Sequence, residues 1–274
     1  MQCHEFSCSR PEAARADRFA RRLPRTPYSI VWCVQVTQLG RHSRPFRVRC
    51  TQPVQFPEFN PYLRKYEEFG SPVVRSEAAV GARGVWARQF AQEQPLHLEI
   101  GSGNGFFLAG IAQVHPEWNV LGVEIRFKRI VTAAKKIRAF GVERNARIVR
   151  YDAWWLDEIL APGELSGLYL NHPDPWPKDK HARNRLLCPF FAQWAAIALR
   201  PGSELRLKTD SLLNFRQMEL AIVDQPFEIL AQVEDLGRNG VPWPEREEIV
   251  TNFQRKFERK GLPVHGMVLR RREG

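Results

Sequence analysis

The segment Glu99-Ile-Gly-Ser-Gly-Asn-Gly105 sets one acid beside three alternating glycines. Glycine admits backbone torsions closed to other residues and lets a ligand approach the main chain. Two further acids follow. Glu124 lies about twenty residues on, where a carboxylate can hold both hydroxyls of a ribose. Asp152 follows a third apolar run and can reach the amino group of an adenine. Glu99, two residues before Gly101, suits a cationic cofactor with an amino-acid tail and suits a pyrophosphate poorly. The spacing Gly-x-Gly-x-x-Gly of dinucleotide sites is absent. Together Glu99, Gly101, Gly103, Glu124 and Asp152 point to S-adenosylmethionine rather than NAD.

A second group of reactive types is Asn171-His-Pro-Asp-Pro-Trp-Pro-Lys178. Its prolines stiffen the chain. It offers one carboxylate (Asp174), one indole and one lysine, a set suited to a flat heterocycle.

These residues need a scaffold that delivers loops to one edge. Apolar runs at 96–100, 119–123, 147–150, 167–170, 204–207, 227–233 and 264–269 read as seven strands. Helical periods fall between them at 106–114, 126–140, 186–199 and 212–223, with a short helix near 154–160 and another at 253–259. Alternating strands and helices imply an α/β, doubly wound, mostly parallel sheet of seven strands. In such sheets ligands collect beyond the carboxyl ends of the strands. Glu99, Glu124, Asp152 and Asp174 all fall there.

The net charge of +11 suggests a polyanionic partner, but residues 1–50 hold ten arginines and three acids and so supply +7 of it. Residues 1–60 lack a sustained period and read as a basic, disordered arm; 61–274 read as the catalytic domain. Closer to the site, residues 178–185 carry Lys178, Lys180, Arg183 and Arg185 against Asp179, and residues 251–272 carry seven basic side chains against Glu258. Such clusters beside a site fit phosphate contacts. Five cysteines without a Cys-x-x-Cys pair argue for a reducing compartment. A zinc cluster at Cys3, His4 and Cys8 lacks a second ligand pair. No apolar run is long enough for a membrane span.

Six motifs occur in one order: LEIGSGNG, GVEI, YDA, HPDPWPKDKHARNR, LKTD and TNFQRKFERKGLP. In this the chain resembles the bacterial tRNA (guanine-N7)-methyltransferases over about residues 95–271. The proline-bounded Asp-Pro-Trp loop and the Thr-x-Phe segment are the specific parts. The resemblance implies a Rossmann-like class I methyltransferase fold with an antiparallel last strand. It implies S-adenosylmethionine as cofactor and tRNA as partner, in the cytoplasm, with methylation at guanine 46 of the variable loop and no metal. Glu99, Glu124, Asp152 and Asp174 then line the cofactor site, with Asp174 catalytic. Lys178, Asp210, Thr251 and Gln254 fall at substrate positions, and Lys180, His181, Arg183 and Arg185 where the family contacts RNA. Departures are Gln254, where the family usually has Glu, His172 in place of a common aromatic, and Asn184 within a common basic run. The competing classes are a methyltransferase of another substrate and a non-catalytic RNA-binding protein. The basic flanks argue against the first and the complete set of site acids against the second.

Overall fold

The short apolar runs become strands because turn residues bound them and helices cover both of their faces. The computed structural model describes residues 50–54 and 57–273. Most of the expected arm at 1–60, and the Cys3, His4 and Cys8 cluster, lie outside the described residues. The strands are β1 (Val73–Val74), β2 (Leu96–Ile100), β3 (Asn119–Glu124), β4 (Ala146–Arg150), β5 (Leu165–Asn171), β6 (Leu199–Thr209), β7 (Phe227–Val233) and β8 (His265–Arg271). They form one sheet in the order β1-β4-β3-β2-β5-β6-β8-β7. The last strand runs antiparallel to both β6 and β7, and the β1 to β6 pairs are parallel. The sheet therefore has eight strands rather than the expected seven. The eighth is the two-residue β1, which pairs with Ile148 and Val149 of β4 at the sheet edge. Two residues carry too little alternation to be read from sequence.

The α-helices are α1 (Leu63–Glu68), α2 (Ser76–Gly81), α3 (Phe106–Val114), α4 (Phe127–Ala139), α5 (Pro189–Ala198), α6 (Leu212–Ala221), α7 (Leu236–Asn239) and α8 (Asn252–Glu258). Each of the large ones buries an apolar stripe. One core gathers Phe191 and Ala195 of α5 with Phe215 and Met218 of α6 under Leu98 and Leu168. A second, on the other face, gathers Leu108 and Ile111 of α3 with Ile130 and Ile137 of α4, beside Leu63 and Tyr66 of α1. Expected helix 186–199 starts instead at Pro189, because proline fits the first helical turn, where no N–H is needed. Cys50 is buried within the first core, so chain preceding residue 61 packs on the body.

The turn from β2 to α3 depends on glycine. Gly101, Gly103 and Gly105 have φ of 76°, 54° and 75°. A Cβ on Gly105 would stand 2.8 Å from the Cα of Ala133 in α4, whereas one on Gly101 would meet nothing within 4 Å. Gly105→Ala is therefore expected to lose about 1–3 kcal/mol through strain plus collision. Gly101→Ala carries the strain alone and should lose less. Urea unfolding of the two variants checks the order.

Candidate active site

At the carboxyl edge of β2, β3, β4 and β5 opens a cleft of about 480 Å³. Glu99, Gly101, Gly103, Glu124, Asp152, Asp174 and Thr251 all line it, although more than 150 residues separate the first from the last. Lys178, Lys180, His181, Arg183, Arg185, Asp210 and Gln254 lie outside the lining.

Glu99, the penultimate residue of β2, is 2% exposed. The Asn171 amide at the end of β5 donates to its Oε1 at 3.0 Å. Its Oε2 is buried with no hydrogen-bond partner. Burial pushes the carboxyl up to about 7, against the hydrogen bond from Asn171 and weaker approaches of the Ser102 hydroxyl and the Leu108 N–H. A buried oxygen of this kind calls for a donor from a ligand, and a cationic donor best.

Glu124 accepts N–H bonds from Gly103 at 3.1 Å, Ile125 at 2.8 Å and Arg126 at 3.0 Å. Asp152 caps a 3-10 turn over Ala153–Glu158 by accepting from the Trp154 N–H at 3.0 Å. Trp154 lines the cleft beside it and stacks on Phe190 with centroids 5.7 Å apart. Asn104, also in the lining, takes a 2.6 Å bond from Arg129 of α4.

The Asp174 loop is held from several sides. His172 and Trp176, two residues before and after Asp174, have positive φ of 51° and 44° without being glycine. The Asn214 amide donates to the Pro173 carbonyl at 2.6 Å. Arg185 donates to the carbonyls of Trp176 and Pro177 at 3.0 and 3.2 Å. Its guanidinium thus staples the loop. Asp174, Lys178, Lys180 and Arg183 are exposed, and His181 tilts against Trp176.

Asp210 sits one bond behind the lining, its Oδ1 2.9 Å from Nδ1 of His172. Burial would raise its carboxyl, yet the bond from His172 and the nearby imidazoles hold it below the usual range. Thr251 caps α8 by accepting from the Gln254 N–H at 3.1 Å. Gln254 is 4% exposed. Its amide donates to Glu248 at 2.7 Å and Glu258 at 3.0 Å, and its carbonyl accepts from Lys208 at 3.1 Å. Lys208 also bonds both oxygens of Glu248 at 2.9 Å.

The sequence assigns no role of their own to Asn171, Asn104, Arg129 and Phe253, which all line the cleft. Asn171 had a readable signal, since it ends a strand immediately before the proline loop. Among the described residues, no cluster of His, Cys, Asp and Glu could hold a metal ion.

The fold and the cleft place the chain among the α/β methyltransferases. A family model described as "putative methyltransferase" matches residues 93–267. The solved structure of the 16S rRNA methyltransferase KamB shares the fold, with a TM-score of 0.50 at 15% identity over 68% of this chain and 91% of that one. The tRNA (guanine-N7)-methyltransferase of Levilactobacillus brevis is 35% identical over 188 residues, 68% of this chain and 84% of the relative. That of Listeria monocytogenes is 32% identical over 201 residues, 73% and 91% of the two chains. The chain belongs to the tRNA (guanine-N7)-methyltransferase family.

Two outcomes follow from the buried acids. Burial pushes Glu99 up to about 7 in the folded protein, against its ordinary 4.5 in the unfolded chain. The folded state thus holds a proton that the unfolded chain has released. Its stabilising effect is complete below pH 4.5 and is lost as pH rises through 7. The cofactor-free Glu99→Gln variant should therefore melt higher than the parent at pH 8 and level with it below pH 4.5 by calorimetry. A parent equally stable at pH 8 would refute the buried charge. Gln254→Glu places a third carboxylate around the one ammonium of Lys208. It should cost about 1–3 kcal/mol in urea unfolding.

Proposed function

We propose that this protein transfers a methyl group from S-adenosylmethionine to N7 of guanine 46 in the variable loop of tRNA, in the cytoplasm. The observation that carries the reading is the cleft itself. It joins an unpartnered buried carboxylate oxygen, left-handed glycines and Asp174 on a strained loop. Family membership supplies the substrate.

The residues fit the cofactor. The free Oε2 of Glu99 can accept from an ammonium, which a diphosphate could not offer. Glu124 spends three of its about four acceptor sites on backbone N–H groups, which leaves one on Oε2 for a ribose hydroxyl. Asp152 and the face of Trp154 suit the amino group and ring of an adenine. When bound, the sulfonium supplies an electrophilic methyl group.

On the substrate side, N7 of guanine has a free lone pair, so no general base is needed. The purine becomes cationic as the methyl arrives. Asp174 accepts from the N–H donors of the guanine and stabilises that charge. Alignment of N7 with the methyl carbon supplies much of the remaining acceleration, since orientation alone can be worth several kcal/mol. Thr251, in the lining, stands where it can meet the base. Lys178 meets a phosphate or carbonyl at the rim, and Lys180, His181 and Arg183 extend the rim toward the RNA backbone. Asp210 and Gln254 are engaged behind the cleft, so they act on the substrate through their neighbours. No described helix is long and apolar enough to cross a membrane.

The test uses tRNA from a strain without this modification. The protein should introduce 7-methylguanine at position 46, mapped by chemical cleavage at the modified base. Asp174→Asn, which keeps shape and loses charge, should reduce turnover roughly 10²- to 10³-fold. Binding of tRNA should stay near parental, because phosphate contacts dominate affinity. Near-parental turnover of Asp174→Asn at saturating cofactor and tRNA would refute the electrostatic role.

A further inference from the structure

His172 stands in a conformation that a non-glycine residue adopts only when its surroundings fix it. Three contacts do so. Its backbone N–H donates to the Lys208 carbonyl at 2.7 Å. Its Nδ1 lies 2.9 Å from Asp210 Oδ1. Its ring lies near the rings of Phe253 and Phe257 in α8, with centroids 6.2 and 6.1 Å away and planes within 25° and 13°. The side chain is 5% exposed. A carboxylate only accepts, so Nδ1 carries the proton of this bond and Nε2 is the ring's second nitrogen. That Nε2 is buried and has no partner.

An imidazole with its second nitrogen sealed and idle is placed for geometry. It joins the end of β6, the start of the Asp174 loop and the rings of Phe253 and Phe257 on α8. Asp174 follows two residues later, so any change in the torsions of His172 re-aims the carboxylate. A shift of about 1 Å at a reacting centre can cost two orders of magnitude in rate.

We propose that His172 and Asp210 form a single latch that holds Asp174 in its reactive position, with Asp210 acting through His172 as a positioning residue. The latch rests on the assignment of Asp174 made above.

A double-mutant cycle with His172→Phe, Asp210→Ala and both together tests the latch. The first variant keeps a ring and removes the bond; the second removes the acceptor. Each single change should lower kcat roughly 10- to 100-fold, with the KM for tRNA and the affinity for S-adenosylhomocysteine near parental. The double variant should be no worse than the poorer single one. His172→Asn, which tolerates positive φ and can donate to Asp210, should keep most of the turnover. Amide hydrogen exchange over residues 172–178, measured with S-adenosylhomocysteine bound, should speed up equally in both single variants. Losses that multiply in the double variant would overturn the latch, as would unchanged exchange in the singles. A parent protein that methylates no tRNA would overturn the proposed function instead, and the exchange measurement would still decide the latch.

Discussion

Glu124 ends β3 and binds, with one carboxylate, two pieces of chain that the sheet alone would leave separate. One is the glycine turn, through Gly103; the other is the entrance to α4, through Ile125 and Arg126. A negative group at a helix N-terminus is favoured by the helix dipole. A hydrogen bond to a charged acceptor typically contributes about 1.5–3 kcal/mol. The turn is thereby fixed against α4, and Gly105 can press onto Ala133. The floor of the cleft follows from that joint. A ligand that uses the one remaining acceptor position of Glu124 meets a turn already in place, which lowers the ordering cost of binding.

The roof has a different origin. The segment leading to Thr251 is tied to β6 by ions. Arg206 pairs with Glu247, and Lys208 with Glu248. His115 of the α3 side adds a 3.0 Å bond to Glu247, and Trp243 a 2.7 Å bond to Glu248. Buried ion pairs are weak sources of net stability because desolvation offsets attraction. They are good at fixing position, since any slip leaves charges unpaired. Between these ties Ile249 meets the bare backbone of Gly110, where a Cβ would come within 2.8 Å. The segment is held at one height over the sheet, and Thr251 enters the cleft at that height.

What could be read in the sequence follows from how local each signal is. The seven longer strands and the large helices stood out because their apolar periods are produced within each element. The acids at the ends of β2, β3 and β4 stood out because the topology sends every strand end to one edge. β1 did not, being two residues whose pairing with β4 is wholly non-local. Gln254 carried an ambiguous signal. Thr251-x-x-Gln254 has the spacing of a helix-capping box, yet the amide turns to Glu248 and Glu258, which sequence spacing alone does not bring to one place. The positive φ of His172 was hidden for the same reason. It is imposed by Lys208, Asp210 and α8, each distant in the chain.

The distribution of charge fits the proposed use of one small cleft by two ligands of opposite sign. Glu99, Glu124, Asp152 and Asp174 all line it. Arg126 and Arg129 also line it, and Arg129 is engaged by Asn104, so a phosphate entering there would meet four carboxylates against two guanidiniums, and the interior suits a cation. The rim has the opposite character. Lys178, Lys180 and Arg183 are exposed on one side, and Arg255, Lys256, Arg259 and Lys260 line a surface groove of about 410 Å³ on α8 and the turn after it. Glu258, the acid of that helix, is turned away to Gln254. Phosphates of the proposed RNA substrate are thereby drawn to the rim and kept out of the interior, while an uncharged base can pass between. The same arrangement suits the reaction, because a guanine acquires positive charge only after it has reached the acids.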